Sequence, residues 1–124
     1  MPKILIVDDD PNIRLLLKQS LEELEDQGVI FISADNGEVA LDIIRDENPD
    51  VVFLDVMMPR MNGFDVCNTV KNKLEIRDVF IILLTVKGQK LDKQKGKDAG
   101  ADIYMTKPFN PDEILRVARN ILGL

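Results

Sequence analysis

The sequence predicts an α/β protein: a doubly wound, five-stranded parallel sheet with five helices, in one domain spanning residues 1–124. Three observations carry that prediction. Short aliphatic runs alternate with amphipathic stretches along the whole chain, with no internal repeat, low-complexity tract or linker between them. The aliphatic runs lack polar alternation, as befits strands buried on both faces. Polar side chains gather where several of these runs end, which in a parallel sheet is a single edge, the one where ligands bind.

The elements follow in order. Ile4–Val7 is a buried strand. Asp10 then N-caps a helix with Pro11 at its first position. Ile13, Leu16, Leu17, Leu21 and Leu24 recur at helical spacing to about Gln27, and Gly28 ends the run. Val29–Ser33 is the second strand. Asn36 to about Glu47 is a helix with Val39, Ala40, Ile43 and Ile44 on one face, stopped by Asn48-Pro49. Val51–Leu54 is the third strand. Gly63 to about Lys73 is a helix with Phe64, Cys67, Val70 and Leu74 as its stripe. Val79–Leu84 is the fourth strand, Gly88–Ala99 a weak helix, and Asp102–Met105 the fifth strand. Asn110-Pro111-Asp112-Glu113 has the form of a capping box and launches a last helix with Ile114, Val117, Ala118, Ile121 and Leu122 inward.

Composition narrows the chemistry. The formal net charge of -6 argues against nucleic acid as the direct partner. No apolar run has membrane-spanning length, and Met1-Pro2-Lys3 with four apolar residues is shorter than a signal peptide. The single cysteine, Cys67, fits a reducing, cytoplasmic setting and a buried packing role. There is no histidine, so Ser-His-Asp and Cys-His catalysis and His-ligated metals are excluded. A metal here would meet oxygen ligands.

The strand ends then become informative. The first is followed by Asp8 and Asp9, the third by Asp55, the fourth by Thr85, and the fifth by Thr106-Lys107-Pro108. Each alone has an ordinary reading as a helix cap, loop entry or solvated turn. Capping needs only Asp10, however, and leaves Asp8 and Asp9 over. Two like charges about 4 Å apart repel by ~4 kcal/mol at an effective dielectric near 20. A hard divalent cation reverses that sign, so the acids read as part of a Mg²⁺ site completed by phosphoryl oxygens, with Mn²⁺ or Ca²⁺ as substitutes. Lys107 can neutralise phosphoryl charge, Thr85 can donate a hydrogen bond, and Asp55 can be the nucleophile. No Walker A or G-x-G-x-x-G motif points to a nucleotide.

Together these residues resemble the receiver domain of two-component response regulators. The resemblance covers the whole chain through ILIVDDD, VVFLDVMMPRMNGFD around Asp55, IILLT and GADIYMTKPF. It implies a flavodoxin-like sheet in the order 2-1-3-4-5. It implies Asp55 as phosphoacceptor, Asp9 as direct Mg²⁺ ligand, Asp8 acting largely through water, and the backbone carbonyl of Met57 as a further ligand. Thr85 and Lys107 would bind the phosphoryl group. Lys107-Pro108 would be a cis peptide aiming the lysine inward, and Tyr104 would be the switch aromatic that moves with Thr85. The implied partners are a sensor histidine kinase or phosphotransfer protein, and an effector domain or downstream protein on the helix 4–strand 5–helix 5 face. Catalysis would extend only to the domain's own phosphorylation and dephosphorylation.

Two departures stand out. Val86 occupies a position usually held by a small residue and is expected to crowd the phosphoryl pocket or to tilt away. The 88–99 segment has only Leu91 and Ala99 as apolar anchors, and its lysines fit a solvated face or a mobile element meeting an acidic partner. Two other functions stay open: a phosphorylation-independent interaction module, and a phosphohydrolase. The latter lacks the second acid of an Asp-x-Asp pair, since Met57 stands there. The 124 residues fit a stand-alone receiver or a domain of a longer regulator.

Overall fold

The computed structural model describes residues 1–86 and 90–124, with the side chains of 90–93 left aside. Strands β1 (Lys3–Val7), β2 (Ile30–Ala34), β3 (Val51–Asp55), β4 (Phe80–Val86) and β5 (Ile103–Lys107) form one parallel sheet in the order 2-1-3-4-5. Between and after them run α1 (Pro11–Leu21), α2 (Gly37–Glu47), α3 (Gly63–Asn68), α4 (Lys90–Asp98) and α5 (Pro111–Leu122).

Side chains alternate across a sheet, so each central strand feeds two cores. Leu5, Val7, Val52, Leu54, Ile81 and Leu83 pack toward Ala40 and Ile44 of α2 and Val66 and Cys67 of α3. Ile4, Ile6, Val51, Phe53, Ile82 and Leu84 pack toward Leu17 and Leu21 of α1 and Ile114 and Ala118 of α5. Burial on both faces is why these strands read as unbroken aliphatic runs.

The strand bounds differ from the sequence reading in a consequential way. Apolar residues mark only the buried part of a strand, whereas the hydrogen-bonded ladder continues through polar ones. Asp55, Thr85 and Lys107 therefore lie within β3, β4 and β5 rather than beyond them. The helices need more correction. Helix α1 ends at Leu21, and Glu22–Gln27 is a 3-10 turn closed by Gly28 at φ 86°. Glu22, Glu23, Glu25 and Asp26 oppose the negative end of the α1 dipole, and a tighter turn finishes the run. Leu16 and Val39 are exposed, each one residue off the inward line held by Leu17 and Ala40. Beyond Asn68 the α3 backbone widens into a π turn, Thr69–Lys73, and Leu74 is exposed.

Caps also redistribute. Asp10 accepts from Asn12 N, with Pro11 at the first helical position. Asn110 caps through Asp112 N at 2.8 Å rather than through Glu113, since an N-cap oxygen serves either of two amides. The reciprocal box is instead at Asn62 and Asp65, which opens α3. The helix expected over 88–99 is described from Lys90, with Gln94, Lys95 and Lys97 exposed and Gly96 and Ala99 buried. Its expected start at Gly88 and the side chains of Lys90, Leu91 and Lys93 lie outside the described residues.

Candidate functional site

The carboxyl edge of β1 and β3 carries the acids. Asp8 follows β1 directly and Asp55 is the last residue of β3, and β1 and β3 are neighbours in register. Asp8 is 1% and Asp55 3% exposed, while Asp9 faces solvent. One carboxylate oxygen from each of Asp8, Asp9 and Asp55 lies within 4.8 Å of the others. Lys107 reaches in from β5, its Nζ donating to Asp8 Oδ2 at 3.0 Å and to Asp55 Oδ1 at 2.9 Å. The Lys107-Pro108 peptide bond is cis.

Backbone groups hold these acids in place. Met57 N donates to Asp55 Oδ1 at 3.3 Å, and Asp10 N donates to Asp8 Oδ1 at 2.9 Å. Asp8 was thus not spare: besides facing the site it closes the turn into α1. Arg14 escaped the sequence reading, and Gly63 entered it only as a motif residue eight positions past Asp55. Arg14 Nη1 donates to the Asp8 carbonyl at 2.7 Å, a contact with no signal in sequence. Gly63 lets the loop after β3 fold back, because a Cβ there would lie 2.4 Å from the Asp55 carbonyl oxygen. Its amide donates to Val56 O at 3.0 Å. A glycine opening a helix eight residues past the key acid was the available clue.

The electrostatics follow from burial. Desolvation pushes the Asp55 carboxyl above the ordinary aspartate range. Lys107 pulls against this, and the Asp8 charge adds to it. For Lys107, burial lowers the ammonium pKa, but Asp55 and Asp8 together outweigh it and the net shift is upward. Among the described residues, the three clustered carboxylates meet one ammonium, Lys107, which leaves a local excess of acids made only of hard oxygen donors. Oxygens on opposite sides of a Mg²⁺ ion, each about 2.1 Å from it, stand roughly 4.2 Å apart, so this spacing and donor chemistry fit such an ion.

The remaining predicted positions fall nearby in different ways. Thr85 is 2% exposed on β4, beside β3. Met57 turns its side chain to solvent, whereas Met58 is buried. Val86 is half-exposed and thus not buried in the core. Tyr104 lies on β5 opposite Leu83 and packs on the apolar core. Among the described residues, no helix is long and apolar enough to cross a membrane.

Comparison with known proteins agrees with this geometry. The family model of the response regulator receiver domain matches residues 4–119. The chain is 44% identical over 122 residues to the transcriptional regulatory protein CpxR of Escherichia coli, covering 98% of this chain and 50% of CpxR. It is 41% identical to the alkaline phosphatase synthesis transcriptional regulatory protein PhoP of Bacillus subtilis, covering 97% of this chain and 48% of PhoP. The chain therefore spans about half the length of these curated relatives. A putative response regulator from Chloroflexus aurantiacus superposes with a TM-score of 0.86 at 34% identity, over 100% of both chains. With sheet order, acid cluster and relatives in agreement, the chain belongs to the response regulator receiver domain family.

Proposed function

We propose that this receiver takes a phosphoryl group onto Asp55 from the phosphohistidine of a sensor histidine kinase or phosphotransfer protein. The observation that supports this best is the convergence of Asp8, Asp9, Asp55 and Lys107 on one sheet edge. An Asp55 carboxylate oxygen attacks phosphorus, the phosphorus–nitrogen bond breaks, and the imidazole leaves with the bonding pair and takes up a proton from water. Asp9 would hold Mg²⁺ directly, Asp8 largely through water, and Asp55 and the Met57 carbonyl would complete the protein ligands. The ion would supply charge neutralisation at the phosphoryl oxygens. Lys107 would bind one of those oxygens and Thr85 another, and water attack at phosphorus would later restore Asp55. The domain would catalyse these two steps on itself and no others.

Phosphorylation adds charge and acceptor oxygens at one point and so biases a two-state element. Thr85 and Tyr104 would form that element, presenting the α4–β5–α5 face to an effector domain or downstream protein in the cytoplasm. The test uses beryllofluoride with Mg²⁺ on wild type and Asp55→Asn. Tyr104 is the only tyrosine and tryptophan is absent, so intrinsic fluorescence reports on it directly. A response in wild type alone, with acetyl phosphate labelling only where Asp55 is present, is the expected result. Partner binding indifferent to both reagents would favour a phosphorylation-independent module instead.

A further inference from the structure

Glycine is the poorest helix former after proline, yet Gly96 occupies the interior of α4, where nothing about a helical backbone calls for it. The reason is space. A Cβ at position 96 would lie 3.0 Å from Tyr104 Cδ2, 3.3 Å from Tyr104 Cε2 and 3.2 Å from Leu83 Cδ1. Leu83 is fully buried in the central sheet. Tyr104 is half-buried on the edge strand β5, with its hydroxyl oxygen buried. Between the two, the tyrosine ring on the edge strand is the one with solvent beside it to move into.

We propose that Gly96 is the seat of the Tyr104 ring, a notch in α4 that sets the balance between the inward ring and a solvent-facing one. A single added methyl at a tightly packed contact shifts such a balance by about tenfold. The seat stands on the contacts just given. Its consequence for signalling rests on the reading of Tyr104 as the switch residue: a β-carbon at position 96 would then uncouple Tyr104 from events at Asp55 while leaving the acid site untouched.

The experiment is acrylamide quenching of Tyr104 fluorescence in wild type, Gly96→Ala and Lys97→Ala, first without any phosphoryl analogue. Lys97 is exposed on the same helix and serves as control. The quenching constant is expected to rise about twofold or more in Gly96→Ala only, as an overpacked ring moves to solvent. Equal quenching in all three proteins overturns the seat. Should Gly96→Ala fold poorly, a stability cycle replaces quenching. Gly96→Ala should lower the melting temperature when Tyr104 is present and raise it in a Tyr104→Ala background, where the vacated ring space also lets Leu83 Cδ1 give way and helix propensity decides. The same sign in both backgrounds overturns the proposal. Beryllofluoride with Mg²⁺ then separates the two readings. An unresponsive Tyr104 in wild type removes the switch reading and leaves the seat judged by the first comparison.

Discussion

At the scale of single residues, Cys67 shows how burial sets chemistry. Its thiol is fully buried against the sheet and donates to Ala99 O at 3.4 Å. Desolvation pushes its pKa up to about 12, with the Lys71 charge opposing and Asp102 assisting. The unfolded thiol ionises near 8.5, so between that pH and about 12 the unfolded state holds fewer protons than the folded one. Stability is therefore intact below pH ~8.5 and falls as pH rises, by about 1.4 kcal/mol per unit from this group. Urea unfolding at pH 8 and pH 10 should show wild type losing roughly 2 kcal/mol more than Cys67→Ala across that interval. Parallel losses in the two proteins would show that the thiol ionises freely in the fold.

At the scale of elements, Lys71 fastens the tail of α3 to the start of β5. Its buried Nζ lies 3.0 Å from Asp102 Oδ2 and donates to the carbonyls of Arg77 and Val79. Asp102 Oδ2 also accepts Ile81 N at 2.8 Å, so one carboxylate joins three segments. Lys71→Met leaves two carbonyls and a partly buried carboxylate short of a donor and should cost about 2–3 kcal/mol, somewhat below a fully buried pair because Asp102 keeps some solvent. A cycle with Asp102→Asn should give a coupling energy of about 1–2 kcal/mol, and additive losses would remove the fastening role. This clasp also marks the limit of what the sequence discloses. The strands were legible because burial on both faces leaves a plain aliphatic signature, as in Val51–Leu54. The Asp10-Pro11 helix start was legible because a cap is local in sequence. The π turn was not, nor the burial of Lys71, whose partner lies on a distant strand. For the same reason Asp8, Asp9 and Asp55 could be placed on one edge, but Arg14 bracing the Asp8 carbonyl could not.

At the scale of the whole molecule, the parallel sheet brings acids from β1 and β3 and a cation from β5 to one point, and that convergence creates a competition. Lys107 holds oxygens of both Asp8 and Asp55, the same groups proposed to face Mg²⁺. The metal must draw these carboxylates partly away from the ammonium, so removing Lys107 should strengthen metal binding even as it weakens the metal-free fold. A ligand at a hundredfold excess over its Kd stabilises the folded state by about 2.7 kcal/mol. Thermal melts with and without Mg²⁺ should therefore show a clear rise in Tm for wild type, a larger one for Lys107→Met and a smaller one for Asp55→Asn. The pH sign gives an independent check. The Asp55 pKa is raised mainly by burial, so without metal its contribution to stability is present below the unfolded value and is lost as pH rises through the folded one. Mg²⁺ favours the ionised form and reverses that slope, so the metal-induced rise in Tm should fade on acidification at a pH above the ordinary aspartate range. Identical rises in wild type and Lys107→Met at neutral pH would mean that ammonium and metal do not share ligands.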